Sequence, residues 1–153
     1  LMKYYYKFQK LLEIEKYREK DLVKELNILK KQLKDEEKLF AFLQSVLTLQ
    51  LSEMEKALHT KGEAKVFILF ESYFSKLNHD IALQANKVKE AFKKAESVRN
   101  TLLNVFKKRK VLEKLRERQE KEYKKQTLKL ENKNFYEIAT SRFYYKRKNN
   151  DVG

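Results

Sequence analysis

His59-Thr60-Lys61-Gly62-Glu63 decides how this chain folds, because a matching apolar stripe runs away from it in each direction. Upstream, a heptad passes through Phe8, Leu12, Glu15, Glu19, Leu22, Leu26, Leu29, Leu33, Glu36, Phe40, Leu43, Leu47, Gln50, Met54 and Ala57. Downstream, the same alternation of three and four takes in Phe67, Phe70, Phe74, Leu77, Ile81, Gln84, Val88, Ala91, Ala95, Val98, Leu102, Val105, Arg109 and Leu112. A narrow stripe repeating every ~3.5 residues is a coiled-coil seam, since it keeps facing one partner as two helices supercoil. Gly62 can take the left-handed conformation that ends a helix. Thr60 with Glu63 has capping-box spacing for starting the next one. Either way, a turn belongs at about residues 59–63. The rival turn, Asn78-His79-Asp80, would interrupt a seam that runs through it without a slip.

Folding at Gly62 sets large residues against small ones, as at Leu33/Ala91 and Leu29/Ala95, and brings Gln84 opposite Phe40. Glu15 falls opposite Arg109, so the charged seam positions at that layer meet each other. The fold class expected is therefore all-α: an antiparallel two-helix coiled-coil hairpin with unequal arms, forming a single domain over residues 1–153. Helix one spans about 4–58, helix two about 63–145, and a tail follows at 146–153. At ~1.5 Å per residue, helix two outruns its partner by roughly 40 Å. Residues beyond about Arg116 then have no partner within the chain.

Composition agrees with this reading. The chain has 153 residues with 36 Lys+Arg against 22 Asp+Glu, no Pro, no Cys and two Gly. Without Pro and with so little Gly, the repeated turns of a sandwich, a barrel or a βαβ fold cannot be made. Absence of cysteine excludes a disulfide scaffold. Apolar runs such as Val66 to Phe70 fall far short of the ~20 residues of a membrane span. A cytoplasmic helical protein is the expectation.

Charge is unevenly placed. Residues 105–153 hold 16 Lys+Arg and 7 Asp+Glu, a net +9 out of the chain's +14. The basic positions include Lys107, Lys108, Lys110, Arg116 and Arg118. An apolar-aromatic cluster follows with Phe135, Tyr136, Ile138, Phe143 and Tyr144. A basic shaft with an aromatic tip suits steering by charge and anchoring in an apolar pocket. Alternating Glu along the shaft would face phosphate, which argues against nucleic acid as the partner.

Catalysis is not expected. A phosphate-cradling loop needs several glycines at fixed offsets, and only Gly62 lies inside the chain. His59 and His79 stand 20 residues apart without a companion at helical spacing, so no metal site is expected and no cofactor is implied. A two-helix hairpin offers its carboxylates no concave pocket.

Several stretches resemble the FliJ family, the small coiled-coil component of the bacterial flagellar protein-export apparatus. Phe8-Gln9-Lys10-Leu11-Leu12 and the charged helix after it resemble the family's opening Phe-x-x-Leu-Leu. Phe70-Glu71-Ser72-Tyr73-Phe74-Ser75-Lys76-Leu77-Asn78-His79-Asp80-Ile81 resembles its aromatic-x-x-aromatic-x-x-x-Leu-x-x-x-Ile signature. Arg109 to Arg118 and Tyr136-Glu137-Ile138-Ala139 resemble its C-terminal pattern.

The resemblance implies a non-enzymatic stalk similar to the shaft of a rotary ATPase, inserted in the pore of the hexameric export ATPase. It also implies contact with the membrane export gate and with export chaperones. Association with the membrane would be indirect or peripheral, on its inner face at the flagellar base. The gate contact maps onto Tyr73 and Leu77, with Tyr where the family usually has Phe. The seam, however, also claims Leu77 for packing within the hairpin. The ATPase contact is expected on the distal part of helix two, at Lys107, Lys108, Lys110, Arg116, Arg118, Phe135, Ile138 and Phe143. A structural coiled-coil adaptor and an injectisome stalk of the YscO type are the alternative readings.

Overall fold

A computed structural model describes residues 3–61 and 64–151. Two helices account for most of them: α1 over Gln9–Lys61 and α2 over Ala64–Asp151. They pack against each other as a helical hairpin, the all-α class expected. Gly62 and Glu63, on which the turn expectation falls, lie outside the described residues. Asn78, His79 and Asp80 sit inside α2, so no turn occurs at the rival position. Thr60 belongs to α1, and its hydroxyl donates to the Lys56 carbonyl one turn back rather than capping a new helix.

Two helix boundaries differ from expectation. α1 begins at Gln9, not near residue 4, and residues 3–6 are non-helical. α2 continues through the expected tail as far as Asp151. Nothing in Lys146-Arg147-Lys148-Asn149-Asn150 breaks a helix, and extending an existing one is far cheaper than nucleating it. Contacts also divide the chain into two compact units, where a single domain is expected: residues 1–16 with 106–153, and Tyr17–Val105.

Within the unit Tyr17–Val105, the seam positions of α1 and α2 are buried or half-buried, Phe67 excepted at 48% exposure. Leu26, Leu77 and Ala95 are the most enclosed apolar residues on that seam, together with Val105 at its end. The Gln84 amide, buried, donates to the Glu36 main-chain carbonyl at 3.0 Å and also to the Glu36 carboxylate. This cross-helix bond lies within one helical turn of the Phe40/Gln84 layer read from the sequence. Gln84 is a polar seam residue with its needs met, so it fixes register at little cost.

In the other unit, the segment before α1 does work that a helix starting near residue 4 would not. Tyr4 is half-buried and Tyr6 buried, while Tyr5 and Lys7 are exposed. The Tyr6 hydroxyl donates to the Leu112 carbonyl at 2.9 Å. The Tyr4 ring tilts onto Tyr123 with centroids 5.3 Å apart, and its hydroxyl donates to Gln119 Oε1 at 3.3 Å. The order of these contacts, from later to earlier along α2 as the chain advances, is antiparallel. Leu12 has no exposed surface. Half-burial on α2 therefore continues through Arg116, Tyr123 and Thr127, well past the point where unpaired helix is expected to begin.

Candidate partner-binding surfaces

The basic shaft begins within the unit holding residues 106–153. Lys107, Lys108 and Lys110 are all exposed. Phe106 carries two cations on its ring, Arg109 at 5.1 Å and Lys110 at 5.6 Å, which orders the start of the shaft. Arg109 also forms an ion pair with Glu113 at 2.8 Å, one turn along its own helix. On the same helix, then, Glu113 meets Arg109, where the sequence places Glu15 opposite it. Glu15 is nonetheless buried, and its Oε2 accepts no hydrogen bond.

Arg116 is half-buried and Arg118 exposed. An open groove follows them along α2, floored by Val111, Leu115 and Leu128 and edged by Lys114, Arg118 and Lys121. Such a groove suits an apolar side chain from a surface that is otherwise acidic. Burial of the Tyr6 phenol beside this region raises its pKa above the ordinary 10.0. The nearby Tyr4 adds to the rise and Arg116 opposes it.

From Leu128 to Asp151, every residue of α2 is exposed. Phe135 stands at 70%, Phe143 at 68% and Ile138 at 55% exposure. Rings here meet neighbours on the same helix, in the edge-on contacts Phe135–Tyr136 and Tyr144–Tyr145. A second open groove, lined by Lys129, Lys133, Tyr136 and Tyr144, gives this tip the same mixed basic and aromatic character.

Within the unit Tyr17–Val105, the residues implied for the gate contact separate. Tyr73 is exposed at 43% and its ring meets Phe74 edge-on at 6.2 Å. Leu77 is 6% exposed and packs inside the hairpin, as its seam position requires. Of that pair, only Tyr73 offers a surface.

The sequence reading missed Tyr4 and Tyr6 as elements of the distal unit. Their signal was the alternation Tyr4-Tyr5-Tyr6-Lys7 immediately before the first seam residue. Among the described residues, no three of His, Cys, Asp or Glu gather as metal ligands. Among them, too, no helix is long and apolar enough to cross a membrane.

Neither a curated protein nor a solved structure matches the chain. Residues 2–148 of the 153 match the family described as "FliJ: Flagellar FliJ protein". With nearly its whole length matched, the chain belongs to the flagellar FliJ protein family and is a structural component of the flagellar export apparatus.

Proposed function

We propose that the protein is a non-catalytic stalk of the export apparatus, with the distal part of α2 seated in the hexameric export ATPase. One observation carries this reading: α2 holds Phe135, Ile138 and Phe143 in water along a stretch that nothing in the described chain covers. Exposed apolar surface of this kind marks a binding site. Lys107, Lys108, Lys110, Arg116 and Arg118 provide the charge that orients the approach, and the aromatic tip provides the anchor.

Contact with the membrane export gate is assigned to Tyr73. Leu77 supports it from beneath by holding this stretch of α2 against α1. Handling of export chaperones, and a peripheral position at the inner face of the membrane through the gate, complete the proposed role.

Deleting residues 129–153 tests the stalk. The contacts at Leu112, Gln119 and Tyr123 are retained and the residues removed from 129 to 151 are all exposed, so the hairpin should fold and melt as the full chain does. Stimulation of the cognate export ATPase is lost. Normal stimulation by the truncated protein would reduce the arm to a solvated tail and favour a purely structural adaptor.

A further inference from the structure

The unit made of residues 1–16 and 106–153 joins strong anchors to one unfavourable burial. Tyr6 and Leu12 are among the most enclosed side chains of the molecule, and Tyr4 rests on Tyr123. One turn beyond Leu12, on the same face of α1, Glu15 is 8% exposed with an Oε2 that accepts no hydrogen bond. A buried polar atom left without a partner carries its full desolvation penalty, whereas opening restores it to water. Such a group lowers the free energy of local opening where it sits and leaves other segments untouched.

We propose that residues 3–16 form a releasable clasp on α2, held shut by Tyr4, Tyr6 and Leu12 and predisposed to open by Glu15. Opening leaves in place the ion pairs Arg109–Glu113 and Glu120–Lys124, which lie within α2 itself. It uncovers the half-buried Leu112, Leu115 and Tyr123. These are continuous with Val111 and Leu128, already exposed at 65% and 58%. Release therefore lengthens the free apolar and basic arm from Leu128 back toward Val111. The inference rests on the stalk reading only for the partner that the longer arm would meet, since the opening itself is a property of the isolated protein.

The test is hydrogen–deuterium exchange on the full chain, with residues 22–33 as internal reference. Glu15→Leu replaces the carboxylate that carries the unpartnered Oε2 by an apolar group. It should slow exchange of the amides of residues 9–16 by about tenfold or more and leave the reference unchanged. Tyr4→Ala with Tyr6→Ala should quicken exchange of the same amides by a similar factor. Tyr6→Phe, which keeps the ring and removes one hydrogen bond, should give a smaller change in that direction. If Glu15→Leu leaves residues 9–16 unchanged or faster, or moves the reference segment equally, Glu15 is an ordinary seam residue and the clasp is refuted. Binding to the cognate ATPase should weaken with Glu15→Leu and strengthen with the double alanine variant. Unchanged binding beside the expected exchange would overturn the link between clasp and arm. Normal stimulation after deletion of 129–153 would overturn the stalk reading alone, and the exchange results would still decide the clasp.

Discussion

The Tyr6 hydroxyl donates to the Leu112 main-chain carbonyl at 2.9 Å, joining residues 106 apart in sequence. The acceptor is a helical carbonyl already engaged along α2, so this is a second bond to an available lone pair. It ties the non-helical start of the chain to the distal part of α2 without interrupting either element.

Replacing Tyr6 by Phe keeps the buried ring and removes the donor. At neutral pH the loss should be about 1 kcal/mol, the usual net worth of one such bond. The alkaline behaviour should differ as well. Burial raises the phenol's pKa above 10.0, so folding favours the neutral form. A raised folded-state value means that the contribution is complete below the unfolded value and is lost as pH rises through the folded one. The wild type should thus lose stability above about pH 10 more steeply than Tyr6→Phe. Thermal melts of both proteins across that range would show it, and parallel curves would contradict it.

Leu12 and Leu11 are neighbours with opposite surroundings: Leu12 has no exposed surface and Leu11 is 44% exposed. Leu12→Ala should cost about 2 kcal/mol or more through lost burial and a residual cavity. Leu11→Ala should cost about 0.5 kcal/mol or less. Urea titrations of the two variants compare these directly. Equal losses would move the seam off Leu12.

Much of this was legible from period alone. The seam written in heptads from Leu12 to Ala57 and from Phe70 to Leu112 coincides with the buried and half-buried positions, because an intramolecular partner imposes its repeat on both helices. Its outermost members, Phe8 and Phe67, are exposed at 37% and 48%, where the opposing helix supplies less cover. Tyr4 and Tyr6 fall inside the expected helix one, about 4–58, but precede α1 in the structure. Their period of two over so few residues is a faint signal beside the seam. Arg109 was read as a partner for Glu15, yet Glu113 on the same helix meets it without an interhelical crossing. The distal surface was legible only as unclaimed residues, since Phe135, Ile138 and Phe143 belong to no seam of this chain and stay exposed.

Leu33 and Lys121 separate seam from surface by charge. Leu33 is half-buried on the α1 seam and Lys121 is exposed on α2. Leu33→Asp places an unpaired carboxylate between the helices and should cost about 3 kcal/mol or more. Lys121→Ala should change stability by less than about 0.5 kcal/mol. Differential scanning calorimetry that finds equal shifts would show the seam to be misassigned.

Charge reversal at the start of the shaft separates steering from anchoring. Lys107, Lys108 and Lys110 are exposed, and none is needed to bury the seam. Substituting all three by Glu removes one cation from the Phe106 ring but leaves Arg109 over it at 5.1 Å. Glu at position 110 also stands one turn before Lys114, a favourable order on a helix. Helicity and melting temperature should therefore stay close to those of the wild type. Long-range attraction should not: three charges change sign near the proposed contact, a net change of six units. Association with the export ATPase at low salt should slow by about tenfold or more, and its decline with added salt should flatten. Dissociation should change less, because Phe135, Ile138 and Phe143 still anchor the complex. Stopped-flow measurements at several ionic strengths give both rates. An unchanged association rate would place the contact away from the basic shaft, whereas a selective rise in dissociation would make these lysines anchors themselves.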